Sequence, residues 1–264
     1  FDIGRAVALD AQGNAYAAGF FQATADFDPG VGTLALTSAG DNDIFVQKLD
    51  ASGNLIWARS MGGSMVDEAK GVAVDAAGNV YVTGRFSGTV DFDPGIGVAS
   101  ATAVGQTDSY VLKLDANGNF VWFRQMGAAG ADEGTALVAD ASGVYTIGYF
   151  QGTMDLDPGL GTNSVTSVSG TLDAWVQHLD TDGAHVWGWR LGSDGLDYGF
   201  GITRGANGSV YVTGCFQGTA DFNPGVGTAN LTANGGATSA YVLAVDGSGT
   251  YQWASQIGVD NFCI

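Results

Sequence analysis

The segment Asp26-Phe27-Asp28-Pro29-Gly30 returns as Asp91-Phe92-Asp93-Pro94-Gly95, as Asp155-Leu156-Asp157-Pro158-Gly159 and as Asp221-Phe222-Asn223-Pro224-Gly225, with starts 65, 64 and 66 residues apart. Self-similarity at a fixed period restricts a chain to an array of like units, each covering the apolar face that its neighbour cannot bury alone. A second marker sets the same period independently. Trp57, Trp122, Trp187 and Trp253 stand 65, 65 and 66 residues apart, each after a turn of the form Asp-x-x-Gly. Four copies account for nearly all of the 264 residues.

Within the second copy, four short runs of β-like composition alternate with turn signals: Gly71 to Asp75, Val80 to Phe86, Ser109 to Asp115 and Phe120 to Met126. None carries helical periodicity. Ala76-Ala77-Gly78-Asn79 joins the first pair and Ala116-Asn117-Gly118-Asn119 the second, both suited to tight hairpins. Each copy is therefore expected to be a four-stranded antiparallel meander, with the acidic motif inserted between its second and third strands. Radial stacking of such meanders gives an all-β fold, a β-propeller, with blades at about 1–65, 66–130, 131–195 and 196–264. A β-solenoid is the structural alternative, but its coils usually repeat over far fewer residues.

The runs GVAVDAAGNVYVTG (71–84), DSYVLKLDANGN (108–119) and MGGSMVDE (61–68), with their counterparts in the other copies, resemble the SBBP bacterial propeller repeats and, more distantly, the NHL repeats. The resemblance covers essentially the whole chain. It implies a secreted or surface-exposed prokaryotic protein, and the family name suggests seven blades. Only four repeats are present here, and the acidic insert is distinctive, so neither blade count nor ligand carries over. Phe1-Asp2 and Val259-Asp260 both align with Val66-Asp67, which places both termini at a blade boundary. Either four blades close as a ring by face packing or the chain is cut from a longer propeller; the reading leans to the ring.

Composition narrows the partners. The 43 glycines come with only four prolines and 45% hydrophobic residues, which marks a turn-rich globular chain and not a disordered one. Nine Lys and Arg against 27 Asp and Glu give a formal charge of −18, so the electrostatic footprint of a nucleic-acid or anionic-lipid binder is missing. Cations are the favoured partners. No apolar run approaches the roughly 20 residues of a membrane helix, so membrane insertion is not expected.

Two readings compete for the inserts. Aspartates two apart on an extended backbone point the same way, and with a third from the return they offer one oxygen cluster per blade for Ca²⁺: Asp26, Asp28 and Asp43; Asp91, Asp93 and Asp108; Asp155, Asp157 and Asp173. The fourth copy has Asn223 and Ser239 at the second and third positions, which weakens or abolishes its site. Alternatively Asp-Pro-Gly is simply a turn whose carboxylates accept backbone N–H groups.

The Trp series fits either blade packing or a ring of sugar platforms, and burial favours packing because an indole is worth on the order of 4–6 kcal/mol of core. The same holds for Phe45, Tyr110, Trp175 and Tyr241, and for Phe21, Phe86, Phe150 and Phe216. Trp189 stands where the first two copies have Arg59 and Arg124, and is expected to be a contact residue. His178 and His185 have no companions for a transition-metal site. Cys215 and Cys263 lie outside the repeat pattern; a disulfide stapling the C-terminal tail and two separate thiols both remain open.

An active site needs unlike residues converging at one place, and no nucleophile elbow, zinc motif or phosphate loop breaks the repeat. The expected function is a non-enzymatic extracellular or cell-surface interaction module, stabilised by Ca²⁺, acting in assembly or adhesion through protein or glycan partners, with self-assembly compatible. A propeller lectin and a hydrolase or lyase at the axial mouth are the alternatives.

Overall fold

The computed structural model describes residues 1–233 and 238–258. Val259-Asp260 and Cys263, singled out above, lie outside the described residues.

The first repeat comprises β1 (Ile3–Leu9), β2 (Ala15–Phe21), β3 (Thr24–Asp26), β4 (Ala35–Thr37), β5 (Asp43–Leu49) and β6 (Leu55–Gly63). The second holds β7 (Glu68–Val74), β8 (Val80–Phe86), β9 (Thr89–Asp91), β10 (Ser100–Thr102), β11 (Asp108–Leu114) and β12 (Phe120–Met126). The third holds β13 (Glu133–Asp140), β14 (Gly143–Phe150), β15 (Thr153–Asp155), β16 (Ser164–Thr166), β17 (Asp173–Leu179) and β18 (His185–Leu191). The fourth holds β19 (Tyr198–Arg204), β20 (Val210–Phe216), β21 (Thr219–Asp221), β22 (Asn230–Thr232), β23 (Ser239–Val245) and β24 (Tyr251–Ile257). Among the described residues the only helical element is a 3₁₀ turn at Val168–Gly170.

Each repeat builds one four-stranded antiparallel sheet in chain order, for example β7-β8-β11-β12, as the alternation of apolar runs and Asp-x-x-Gly turns requires. The turns are locked by their aspartates. Asp50 Oδ1 accepts the N–H groups of Ser52 and Asn54 at 2.8 and 2.9 Å, its Oδ2 takes Asn54 Nδ2 at 2.8 Å, and Gly53 adopts φ +82°. Asp115 repeats all three bonds. The inner strand of every sheet carries a bulge at one place, between Ala69 and Gly71 in the second repeat, and β8 comes close to it at Gly84. A Cβ on Gly84 would lie 1.9 Å from the Glu68 carbonyl, which is why this position reads Gly19, Gly84, Gly148 and Gly214.

The acidic insert, expected only as a turn-rich segment, is a short hairpin of its own. Its base is closed by cross-strand threonine pairs, Thr24 with Thr37 and Thr89 with Thr102, each with Oγ1 atoms 2.8 Å apart. The residue between the two acids anchors it: Phe92 and Phe222 are buried and meet Phe86 and Phe216 edge-on at 5.2 Å. The hairpin of the second repeat also pairs through β9 with β6 of the first, tying neighbouring units together.

The core lies between the sheets. One apolar layer joins Tyr16, Ile44 and Val46 to Val72, Val82 and Leu112, a second joins Tyr81, Val111 and Trp122 to Leu137 and Val144, and a third joins Tyr145, Ile147 and Val176 to Val212 and Leu243. Inner strands pack in succession, β1 on β7, β7 on β13 and β13 on β19. The described residues form an open arc instead of the closed four-blade ring favoured from the sequence. Val7 and Leu9 of β1 are 70% and 67% exposed, whereas Val72, at the place of Val7 in the second repeat, is 7% exposed. At the other end Trp253 is 44% exposed.

Candidate interaction surfaces

Three constellations recur from repeat to repeat, and one does not. The first is the insert. Asp91 Oδ1 accepts the N–H groups of Asp93 and Ala99 at 3.1 and 2.8 Å, and Asp93 Oδ1 accepts Gly95 N–H at 2.7 Å. Asp26 and Asp28 make the same bonds in the first repeat, and Asp155 and Asp157 in the third. Asn223 does the work of the second Asp in the fourth repeat, accepting Gly225 N–H at 2.9 Å. A neutral amide that reproduces the bond shows that the turn asks for an acceptor oxygen and not for a charge.

The third member of each proposed triad is placed apart from that job. Asp43 accepts Ala39 N–H at 2.8 Å, Asp108 accepts Val104 N–H at 3.0 Å and Gln125 Nε2 at 2.6 Å, and Asp173 accepts Val168 N–H at 3.1 Å and pairs with Arg190 at 2.6 Å. Among the described residues, no three acidic, histidine or cysteine side chains are grouped as a metal ion would need.

Each hairpin ends in a side chain that nothing covers. Val31, Ile96, Leu160 and Val226, one residue beyond the Asp-Pro-Gly turn, are 110%, 107%, 108% and 107% exposed. Sequence reasoning passed over them, although their shared place after the motif was visible. A lone exposed aliphatic side chain is ordinary. Four at one repeat position, each next to a hydrogen-bonded turn, are a recurring set of apolar knobs.

The second recurring group is the link aspartate, at Asp2, Asp67, Asp132 and Asp197. Asp67 is fully buried; its Oδ2 accepts Gly63 N–H at 2.8 Å and its Oδ1 accepts Ser87 N–H at 3.1 Å, stapling the link to the end of the second strand. Asp132 and Asp197 do the same with Ala128 and Gln151, and with Ser193 and Gln217. Burial pushes the Asp67 and Asp132 carboxyls up to about 7, outweighing those N–H groups, with the nearby Asp43 and Asp108 charges adding to the rise. Asp67, Asp132 and Asp197 are internal fasteners, whereas Asp2 is exposed.

The third group joins one sheet to the next. Trp57 Nε1 donates to the Ala116 carbonyl at 3.1 Å, Trp122 Nε1 to Thr181 at 3.0 Å and Trp187 Nε1 to Gly247 at 3.0 Å, each in the Asp-x-x-Gly turn of the following repeat. Arg59 adds bonds to Gly118 and Asn117 at 3.0 and 2.8 Å, and Arg124 to Gly183 and Asp182 at 2.8 and 2.9 Å. Lys113 Nζ reaches the Thr181 carbonyl at 2.8 Å while lying 5.2 Å from the Tyr81 ring centre. Trp57 and Trp122 are thus latches between sheets, with neither ring face nor N–H left for a sugar. Trp189, expected as a contact residue, stacks on Trp187 at 6.0 Å and fills the place of the missing arginine. His178, at the position of Lys113, stacks on Tyr145 at 3.9 Å.

The repeats differ most along the inner strands. Glu68 and Glu133, both buried, share two cations: Lys70 lies 2.7 and 3.7 Å from them, and Arg85 3.0 and 3.4 Å. Burial raises Glu68, but the Lys70 hydrogen bond and the Arg85 and Lys70 charges prevail and hold its carboxyl below the usual range. The patch runs on through Tyr149 to Tyr198 (5.2 Å, edge-on) and from Tyr198 to Phe200 (5.7 Å, stacked), with Phe200 42% exposed. No helix among the described residues is long and apolar enough to cross a membrane.

No protein-family model matches the chain. It is 34% identical over 146 residues to the regulatory protein FlaEY of Caulobacter vibrioides, covering 54% of this chain and 15% of that protein. It is 22% identical over 230 residues to an uncharacterised WD repeat-containing protein of Acanthamoeba polyphaga mimivirus, covering 77% of this chain and 16% of that one. The chain thus spans about one sixth of the length of these relatives, and its own fold is an all-β, propeller-like series of four-stranded antiparallel sheets.

Proposed function

We propose that this chain is a non-enzymatic, multivalent protein-interaction module, an arc of a β-propeller of the SBBP type that works outside the cytoplasm of a prokaryote, in assembly or adhesion. The observation that carries the reading is the row of apolar knobs at Val31, Ile96, Leu160 and Val226, spaced by the repeat and held on rigid turns. Stability alone gives no reason to keep an aliphatic side chain in water at that place. A partner offering apolar pockets at matching intervals gains from each contact in turn, since every later contact is intramolecular. The mixed patch from Glu68 to Phe200 supplies the irregularity by which such a module distinguishes partners. The relative named as a regulatory protein supports a role in protein interaction, and the acidic surface together with the repeat resemblance supports the exterior location.

The test compares the chain with the quadruple variant V31S/I96S/L160S/V226S, both immobilised and exposed to surface and periplasmic extracts of the source cell. An unchanged melting temperature with loss of the captured protein is expected. Retention of the same partner by the variant refutes the reading, and a glycan array that binds the parent chain favours the lectin instead.

A further inference from the structure

In the second, third and fourth repeats, the polar residue that opens the third strand of the sheet receives a side-chain donor from the fourth strand. Gln125 Nε2 donates to Asp108 at 2.6 Å and to the Thr102 carbonyl at 2.9 Å, Arg190 donates to Asp173 at 2.6 Å, and Gln256 Nε2 donates to Ser239 Oγ at 2.9 Å. The first repeat has Ser60 at that position, and Asp43 receives no side-chain donor. Asp43 is nevertheless 3% exposed; its Oδ2 accepts Ala39 N–H at 2.8 Å, and its Oδ1 has no hydrogen-bond partner. A buried carboxylate so poorly served is unusual and calls for a donor.

Beside Ser60 lies a cleft of about 350 Å³ between the first and second repeats, with Leu34, Leu36 and Ala58 on its apolar side and Arg59, Ser60 and Asp93 on its polar side. Where the first repeat has Ala58 and Ser60, the second has Phe123, stacked on Phe92 at 4.0 Å, and Gln125. The second repeat thus fills from its own fourth strand what the first leaves open. The difference is one of sequence at positions 58 and 60, and the residues that line the cleft all fall between Leu34 and Phe120. Arg59 brings one positive charge, but its Nε, Nη1 and Nη2 are engaged by the Gly118, Ala58 and Asn117 carbonyls, and the Asp93 carboxylate on the same cleft offsets it. Asp43 is left without a countercharge.

We propose that this cleft receives the guanidinium of an arginine side chain from a partner protein, with its stem along Leu34 and Leu36 and its N–H groups donating to Asp43 and the Thr37 carbonyl. Thr37 holds the place of Thr102, and acceptors that a single Gln125 nitrogen bridges in the second repeat lie close enough for one guanidinium to bond both. Arg190 already makes the carboxylate half of this contact within the chain. The inference gives the chemistry of one contact of the interaction module proposed above, and rests on that reading for the partner being a protein.

The test is a heteronuclear NMR titration of the chain with N-acetyl-arginine methylamide and, in parallel, with the citrulline analogue, in which a neutral urea replaces the guanidinium. Saturable millimolar binding of the arginine compound is expected, with shifts at Leu36 and Ser60, and binding of the citrulline compound weaker by about tenfold or more. S60Q supplies the amide that Gln125 supplies, and A58F the ring that Phe123 supplies, so each is expected to fold as the parent does and to lose the binding. Neither alters the formal charge of −18, so a general attraction of cations to an acidic chain would survive both. A parent chain with no saturable binding overturns the inference. So does equal affinity for the two compounds, or binding that S60Q and A58F leave unchanged. The quadruple knob variant keeps the cleft and is expected to bind as the parent does, so failure of the extract test and failure of this titration are read apart.

Discussion

Truncating Trp122 should cost far more than truncating Trp253, though the two residues occupy one position in the repeat. Trp122 is 7% exposed, and its ring meets the turn of the third repeat while its N–H is spent on Thr181. Replacing a buried tryptophan by alanine costs about 3–5 kcal/mol, chiefly through the cavity left behind. The hydrogen bond adds little in this case, because Lys113 Nζ still donates to the Thr181 carbonyl at 2.8 Å and leaves no stranded acceptor. The double variant W122A/K113A removes both donors, so it should lose about 1 kcal/mol more than the two single losses combined. Trp253 is 44% exposed and packs on no following turn among the described residues, so W253A should cost about 1 kcal/mol or less. Urea unfolding followed by far-ultraviolet circular dichroism measures all four. Units that contact only their neighbours lose cooperativity when a middle contact is weakened, so W122A should also broaden the transition while W253A does not. Equal costs for the two tryptophans would mean that the fourth sheet is covered as the second is, and the open arc would be wrong.

Gly118→Ala and Gly53→Ala share the same positive-φ strain, at +75° and +82°, but only the first drives a methyl into the Trp57 ring; thermal melting should place G118A below G53A by several degrees. The buried link acids make stability depend on pH. With Asp67 and Asp132 raised from 3.8 to about 7, folding takes up protons between those values, so their contribution to stability falls as pH rises from about 4 to 7 and is flat above. Melting should therefore be higher at pH 5 than at pH 7.5, and the variant D67N/D132N should flatten that slope, with the part left over carried by Asp43, Asp173 and Asp197, which burial also raises. In the inserts, D93N should be neutral, because Asn223 already makes the same bond, whereas D91A loses two backbone partners and should cost about 1–2 kcal/mol. If the carboxylates serve only the turn, melting is unchanged by EDTA or by millimolar Ca²⁺; a rise with Ca²⁺ that D93N abolishes would restore the ion.

The period, the strands and the turns were all readable in the residues, because each is dictated locally. Asp-x-x-Gly closes a hairpin through bonds within five residues, and the run Val80 to Phe86 forms the strand it was expected to form. The Trp spacing likewise announced packing. The destination of each polar group was not legible. Asp67 and Asp93 look alike in the sequence, yet one is a buried fastener and the other a half-buried turn acceptor, and only the approach of Ser87, twenty residues away, separates them. The same is true of Glu68 and Glu133, which are 65 residues apart and meet because two inner strands pack side by side. Local sequence thus determined the repeating unit and its turns, since hydrogen bonds of short span and strand periodicity carry that information. Tertiary structure alone decided which faces were covered: Val72 and Trp122 are buried by the neighbouring sheet at the positions where Val7 and Trp253 are exposed, and no single repeat encodes which neighbour it meets.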